Sequence, residues 1–222
     1  GQITASARFA DEHLEVFSTD QLKALMELKS GDRYMSDIRK RSEAQLKAAY
    51  GTLGYLDATV SLGPLRIMSA NEVNIIIEIS EGKIADVGMI RIHGNFLTKD
   101  KVIRRHVGLQ PGRRYDAVEL GLSKTRIQQT QLFNDVKITV QQEDEDHPEQ
   151  RDVLIEVQEK NTGSFNFGVG FGSDSGVLGQ ISLVQNNFDI ADVPQTFGEL
   201  FRGRAFRGAG QQFAMNFQPG VE

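Results

Sequence analysis

The chain contains no cysteine, which excludes disulfide bonds and metal sites built from thiolates. It also has no apolar run near the ~20 residues that a membrane-spanning helix needs. The formal net charge of −5 argues against a broad nucleic-acid-binding surface, so no nucleic-acid partner is expected. The chain starts at Gly1 without an initiator methionine or a recognisable signal peptide, from which we expect a fragment or a processed piece.

Lysine is missing from the last part of the chain. No lysine follows residue 160, whereas half of the 22 glycines and nine of the 13 phenylalanines lie there. The composition before residue 160 is that of an ordinary soluble αβ protein. We therefore predict a domain boundary near Asn161.

Apolar residues occupy every second position shortly after this boundary, and small or polar residues fill the gaps. Side chains alternate between the two faces of a strand, so one face of this segment is apolar and the other is nearly all glycine. The core face of a soluble sandwich also alternates, but the glycine face and the recurrence of the pattern after Gln211 favour a transmembrane β-barrel. The predicted lipid-facing residues are Phe165, Phe167, Val169, Phe171, Phe213, Met215 and Phe217.

The first 160 residues contain one unit written twice. The segment from Leu28 to Tyr34 matches the segment 81 residues later, and the same offset relates Ser42 to Ser123. The offset falls to 78 further on, where Glu81 matches Glu159. A single gap of three residues explains the whole alignment.

Each unit shows the element order β-α-α-β-β, which predicts an α+β fold with two helices on one face of a small sheet. Ser18 has capping-box spacing ahead of the first helix. In the second unit, Thr98 is predicted to cap a short helix that runs to about His106, and a longer helix is expected over 116–131.

No catalytic, metal or cofactor site is predicted, and we expect no enzyme. The glycines at 168–172 lack the spacing of a dinucleotide fingerprint. The acidic stretch 143–147 lacks the glycine and ligand spacing of a cation loop, and a solvated hairpin loop is favoured. No two of the four histidines have the i, i+4 spacing of a helical metal pair. The cluster of Arg202, Arg204 and Arg207 could meet anionic lipid headgroups or an acidic patch in the barrel lumen, but a solvated loop and strand start is preferred.

Each unit of about 80 residues resembles the polypeptide-transport-associated (POTRA) domain. The resemblance includes a Gly-x-x-Tyr element between the helices, which is Gly31-Asp32-Arg33-Tyr34 in the first unit and Gly112-Arg113-Arg114-Tyr115 in the second. Tandem units that lead directly into a strand rich in glycine and phenylalanine resemble the BamA-like family of outer-membrane assembly proteins. The stretch from Glu159 to Gly168 is similar to the junction of the last POTRA domain with the first barrel strand, and 173–176 resembles the first hairpin turn.

The resemblance implies two tandem POTRA domains at 1–82 and 83–160, followed at 161–222 by the first antiparallel strands of an incomplete transmembrane β-barrel. It places the chain in the outer membrane of a Gram-negative-type bacterium, with the POTRA domains in the periplasm. The implied partners are unfolded outer-membrane protein clients, accessory assembly lipoproteins and outer-membrane lipid, and no cofactor is implied.

The family works by templating, in which strand edges bind client strands by β-augmentation. The barrel edge strand implied for this role comprises Gly163, Ser164, Phe165, Asn166, Phe167, Gly168, Val169, Gly170 and Phe171. The POTRA edge strands implied by analogy are represented by Val136, Lys137, Ile138, Thr139, Val140, Ala58, Val60 and Leu62.

Three other functions stay open at this point. A secretion pore or an autotransporter-assembly factor would share the same architecture. A soluble protein-interaction module would keep the repeats but not the membrane strands. An enzyme is the last of the alternatives, because the sequence offers no recognisable set of catalytic residues.

Overall fold

The computed structural model describes residues 4–11, 14–69, 72–141, 147–172, 176–196, 198 and 205–218. Contacts divide the chain into two compact units. The first comprises Gly1–Met89, Leu109–Gly121 and Gln141–Asp152, and the second comprises Ile90–Gly108, Leu122–Val140 and Val153–Glu222. The second repeat therefore contributes to both units, and the division at residues 82 and 160 stays a prediction. Among the described helices, none is both long and apolar enough to span a bilayer.

The first repeat follows the predicted order. Its elements are β1 (Thr4–Phe9), α1 (Thr19–Leu25), α2 (Ser36–Thr52), β2 (Thr59–Ser69) and β3 (Glu72–Ser80). The strands form a sheet in the order β1-β3-β2, with β1 parallel and β2 antiparallel to β3. The predicted capping box is confirmed, because the Gln21 amide donates to Ser18 Oγ and the Ser18 amide donates to Gln21 Oε1 at 2.8 Å.

The second repeat has the same order of elements. These are β4 (Asp86–His93), α3 (Asp100–Arg104), α4 (Ala117–Gln129), β5 (Phe133–Val140) and β6 (Gln150–Glu159), with strand order β4-β6-β5. The chain is therefore mixed α+β. The longer helix ends two residues earlier than predicted, because Gln131 turns the chain with a left-handed φ of 58°.

The predicted cap of the short helix is wrong. The N-cap is Lys99, with no side-chain hydrogen bond, and the helix ends at Arg104. Thr98 has other partners. Its amide donates to Glu159 Oε1 at 2.6 Å, and its hydroxyl accepts a hydrogen bond from the Asn187 side chain. Tertiary contacts that are invisible in the local sequence therefore override the capping preference of threonine.

Alternating residues of the strands and one side of each helix form the buried interior. The largest of the fully buried side chains in the first repeat are Leu22, Leu46, Tyr50, Leu62, Ile75 and Ile77. Those of the second repeat are Val87, Val102, Ile103, Tyr115, Ile127 and Ile155.

The matched serines of the two repeats have the same role. Ser42 and Ser123 are completely buried. Ser42 Oγ accepts from the Leu28 amide, and Ser123 Oγ accepts from the Gly108 amide, both at 2.9 Å. Each serine thus satisfies a backbone N–H in the loop that precedes its helix, which explains why this polar residue recurs inside a core.

Ser42→Ala is expected to lower the free energy of unfolding by about 1–3 kcal/mol, because it leaves the buried Leu28 N–H without its acceptor. Urea unfolding of the chain measures this change. Ser61→Ala, at an exposed serine of β2, is the matched control and should change stability by less than about 0.5 kcal/mol. Equal effects of the two variants would contradict the role given to Ser42.

Three further strands follow the repeats and form a separate sheet. They are β7 (Gly163–Gly172), β8 (Gly176–Phe188) and β9 (Gln211–Phe217), in the order β7-β8-β9. Both pairs are antiparallel, with Phe167 opposite Ile181 and Ile181 opposite Phe217. Residues 173–175 of the turn predicted at 173–176 lie outside the described residues, and β8 begins at Gly176.

Candidate functional site

The first strand of the third sheet has an open side. Among the described strands, β7 pairs only with β8. The pairing is continuous over ten residue pairs, from Gly163 opposite Gln185 to Gly172 opposite Gly176. All nine residues predicted to bind client strands lie in this strand.

One hydrogen bond fixes which backbone groups of β7 face away from β8. The Asn186 amide donates to the Thr162 carbonyl oxygen at 3.1 Å, and the register continues this pair to Ser164 opposite Val184 and Gly168 opposite Gln180. In an antiparallel ladder, directly opposed residues are alternately hydrogen-bonded and not hydrogen-bonded to each other. The even-numbered residues of β7 therefore bond to β8. The backbone groups that point to the open side belong to Gly163, Phe165, Phe167, Val169 and Phe171.

The same sheet separates apolar from polar side chains. Phe165 and Phe167 are 67% and 69% exposed, and they lie opposite Leu183 and Ile181. Directly opposed residues share a face, so the register places Met215 and Phe217 on this face as well. The other face carries Ser164, Asn166, Ser182, Val184, Ala214 and Asn216.

The predicted lipid-facing residues thus lie on one face of a sheet. Phe213 belongs to the same face, opposite Gln185, and its ring stacks on Phe188 with centroids 5.0 Å apart. The side chain of Phe171 lies outside the described residues, although its backbone pairs with Val177. Contact of this face with lipid stays a prediction.

The two POTRA edge strands named from the sequence lie at the ends of their sheets. In β5, the Gln141 amide donates to the Asp152 carbonyl at 2.9 Å, and the register continues that pair to Thr139 and Lys137. The backbone groups of Val136, Ile138 and Val140 therefore point away from β6.

The edge of β2 is less open at one point. Arg39 of α2 donates to the Leu62 carbonyl oxygen, so that acceptor already has a partner within the repeat. Ala58 lies just before the strand, and Val60 and Leu62 lie in it with buried side chains. The role of both edges in client binding stays a prediction.

A glutamate at the end of each repeat holds the loop ahead of the first helix. Glu81 accepts hydrogen bonds from the Glu15 and Val16 amides at 2.9 and 3.1 Å. Glu159 accepts equivalent bonds from the Leu97 and Thr98 amides. This explains the predicted match of the two glutamates. Glu159 lies shortly before β7 begins at Gly163, so it bonds the loop at Leu97 and Thr98 to the end of β6.

Asn187 connects this loop to the third sheet. Its side chain is almost completely buried. Its amide group donates to Thr98 Oγ1 at 2.9 Å, and its side-chain oxygen accepts from the Gly210 amide at 2.8 Å. The Asn187 carbonyl oxygen accepts a third bond from the Gly208 amide. The ends of β8 and β9 are thereby tied to the second repeat.

Gly208 and an ion pair complete this junction. The Lys99 amide donates to the Gly208 carbonyl at 2.9 Å, and the Lys99 ammonium pairs with the buried carboxylate of Asp189. Gly208 has a φ of +124°, and a Cβ there would lie 2.6 Å from the Leu97 carbonyl oxygen. The hydrogen bond from Lys99, more than any other contact, holds the pKa of Asp189 below its usual range. The Asp189 carboxylate therefore stays ionised at neutral pH.

The sequence predicted where the repeats lead into β7, but it did not predict these contacts of Thr98 and Lys99 with residues 187–210. The signal that could have found them is the pair Asn186-Asn187, where two polar residues interrupt the alternation at the end of a strand. Arg207, expected in a solvated loop, is half-buried and donates to Thr162 Oγ1 at 2.9 Å. Arg202 and Arg204 lie outside the described residues.

Within the described ranges, no group of three or more His, Cys, Asp or Glu side chains could hold a metal ion. Residues 143–146 of the acidic stretch lie outside these ranges, whereas His147 lies within them.

Comparison with known proteins identifies the repeats. The POTRA family, described as a surface antigen variable number repeat, matches residues 12–82 and 85–160. Among curated relatives, an outer membrane protein assembly factor BamA from Buchnera aphidicola is 31% identical over 134 residues, which are 60% of this chain and 22% of the relative. The protein of the same name from Neisseria meningitidis serogroup B is 26% identical over 167 residues, 75% of this chain and 21% of the relative. The chain thus spans about a fifth of the length of these relatives.

Solved structures share the fold. BamA from Haemophilus ducreyi lacking POTRA domains 1–3 aligns with 99% of this chain and 37% of that chain, with a TM-score of 0.73 and 24% identity. The POTRA3–5 structure of Haemophilus influenzae BamA aligns with 71% of this chain and 61% of that chain, with a TM-score of 0.62 and 24% identity. Since both repeats match over more than half of its length, the chain belongs to the POTRA family and is BamA-like.

Proposed function

We propose that this chain is part of an outer-membrane protein assembly factor that binds client strands at the open edge of β7 and templates their insertion. The observation that carries the proposal is the open row of backbone groups on an apolar-faced strand, which directly follows two POTRA repeats. The names of the curated relatives support the same function.

The length of β7 supports a position across the bilayer. A transmembrane β-strand needs about 9–11 residues, and β7 has 10. Phe165, Phe167 and Val169 are exposed, as expected for contact with lipid. The face behind them is small or polar, as expected for a barrel lumen. In this proposal, 161–222 supplies the first strands of an outer-membrane barrel.

The open edge gives a physical reason for client binding. In hydrocarbon, each unpaired backbone group costs several kcal/mol because no water can replace the missing partner. A client strand that pairs with β7 satisfies groups on both chains at once, which is β-augmentation in a membrane. The glycines of β7 weaken side-chain packing within the strand and make it easier to open the barrel at the free edge of β7.

The repeats at 1–82 and 83–160 take the periplasmic side in this proposal. Their open edges at β5 and β2 offer further sites for extended client segments and for accessory lipoproteins. The reaction is strand pairing without covalent chemistry, so no cofactor or catalytic residue is assigned.

Single-cysteine crosslinking gives a direct test, because this chain contributes no cysteine and any cysteine elsewhere in the complete protein can first be replaced by serine. Phe167→Cys, in the complete protein as its host expresses it, should form a disulfide with a cysteine in the terminal strand of a nascent outer-membrane client. Ser182→Cys is the matched control, since Ser182 lies in β8 between Asn166 and Asn216 and both of its edges are taken. Crosslinks at Ser182 with none at Phe167 would remove β7 as the client-binding edge.

A further inference from the structure

Three large apolar side chains are exposed near the junction of the second repeat with the third sheet. Phe96 is 92% exposed, Ile190 is 72% exposed and Val193 is 65% exposed. Phe96 precedes Thr98 in the loop held by Glu159, whereas Ile190 and Val193 follow the end of β8. None of the three belongs to the client-binding edge.

The two loops that carry these side chains are bonded to each other. Asn187 donates to Thr98, the Lys99 ammonium pairs with Asp189, and the Lys99 amide donates to Gly208. Phe96 is two residues from Thr98, and Ile190 directly follows Asp189. We name Phe96, Ile190 and Val193 the rim surface. Exposed apolar patches of this kind mark sites of contact with a protein or a membrane.

The residues that follow Phe96 are mainly basic, whereas Asp189 and Asp192 are the charged residues beside Ile190 and Val193. Residues 99–105 contain four cationic side chains and one acidic side chain, whereas the whole chain has a net charge of −5. Asp100 pairs with Arg104 at 2.9 Å, and Lys99 pairs with Asp189. Lys101 adds positive charge close to the Asp189 carboxylate. The two loops together therefore carry a small excess of positive charge, and an apolar patch with a basic side fits the boundary between anionic headgroups and acyl chains.

The position along the strands points to the same partner. β8 ends at Phe188, and its apolar face carries Ile181 and Leu183 opposite the exposed phenylalanines of β7. Ile190 lies two residues beyond that end, where the sheet joins the second repeat. If the sheet spans the membrane, this corner lies at the level of the headgroups on the POTRA side.

We propose that the rim surface inserts into the periplasmic leaflet of the membrane and anchors the second repeat against it. This inference rests on the proposed function, because it takes the third sheet to span the bilayer. The partner is a phospholipid surface. The rim surface reaches the boundary of headgroups and acyl chains, about 5–10 Å deep.

This chain contributes no tryptophan, so a single introduced tryptophan reports on its own position once any tryptophan elsewhere in the complete protein has been replaced by phenylalanine. The test places Phe96→Trp, Ile190→Trp and Val193→Trp, one at a time, in the complete protein. The protein is reconstituted in phosphatidylethanolamine–phosphatidylglycerol vesicles, with or without bromine on the acyl chains near the headgroups. Met35→Trp, at an exposed site of the first repeat, is the control, and Phe167→Trp reports separately on the sheet.

We expect brominated lipid to reduce the tryptophan emission at positions 96, 190 and 193 by about twofold or more, because these side chains would lie at the boundary of headgroups and acyl chains. The emission of Met35→Trp should not change. Quenching of Phe167→Trp without quenching at the three rim positions would overturn the inference and leave the proposed function intact. Equal quenching at Met35 would also overturn it, because the contact would not be specific to the rim.

Two other outcomes separate this inference from the proposed function. Quenching at the rim without quenching at Phe167 would support the membrane contact and contradict a spanning sheet. A rim tryptophan that responds only to an added client polypeptide, and not to brominated lipid, would show that the rim binds protein and would overturn the lipid assignment.

Discussion

Val169→Pro is expected to reduce client assembly by roughly 100-fold or more, because it removes an N–H that points to the open edge of β7. The register leaves the Val169 amide without a bond to β8, so proline is tolerated there as on other edge strands. A client carbonyl opposite this position would stay unpaired in hydrocarbon, at a cost of several kcal/mol, and each 1.4 kcal/mol corresponds to about a tenfold change in rate. The measurement is the rate at which the reconstituted protein folds an outer-membrane client into vesicles.

Two variants control this experiment. Val169→Ala removes most of the side chain but keeps the N–H, so we expect assembly close to that of the unchanged protein. Gly168→Pro removes an N–H on the opposite edge, in a residue that bonds to Gln180 of β8, and should disrupt the sheet itself. Normal assembly by Val169→Pro would contradict the assignment of the open edge as the client-binding site.

Gly208→Ala is expected to open the junction between the second repeat and the third sheet. The new Cβ would lie 2.6 Å from the Leu97 carbonyl oxygen, at a φ of +124° that L-residues rarely adopt. Strain of this kind costs about 1–3 kcal/mol before the clash is counted. We expect the hydrogen-exchange protection of the Lys99 and Gly210 amides to fall by roughly 100-fold, as measured amide by amide in detergent micelles.

Gly112→Ala provides the comparison for this variant. Gly112 also has a positive φ, of +76°, but a Cβ there would meet nothing within 4 Å. Gly112→Ala therefore lowers stability only through its unfavourable backbone conformation, by about 1–2 kcal/mol. The hydrogen-exchange protection of the Lys99 and Gly210 amides should not change. Unchanged protection in Gly208→Ala would mean that the close approach of Gly208 does not hold the junction together.

Local patterns in the sequence predicted the elements well because those patterns have local physical causes. Alternation placed β7 and β9, and the spacing of Ser18 and Gln21 predicted a cap that the structure contains. The repeat match even located the buried serines, since Ser42 and Ser123 each serve a backbone amide a short distance along the chain.

The junction could not be predicted in the same way. Thr98 has the local features of a helix cap, but its partner Asn187 is 89 residues away, and Lys99 pairs with Asp189 over a similar separation. No periodicity marks such contacts. In the sequence, Gly208 looks like an ordinary loop glycine, and only the folded structure shows that the Leu97 carbonyl oxygen packs against it. Which edge of β7 is open likewise depends on a register that only the folded sheet defines.

The phase of the hydrogen bonds in β7 has a consequence for the range of substrates. An incoming antiparallel strand would place its bonded residues directly across from Phe165, Phe167 and Val169, and those residues would face the acyl chains. A slip by two positions preserves both the hydrogen bonds and the face of every residue, whereas a slip by one that keeps the hydrogen bonds turns every side chain to the opposite face. If β7 binds clients as proposed, the edge would select the phase of apolar alternation in a client strand and not its particular sequence. One template could then serve many unrelated sequences that share only this alternation.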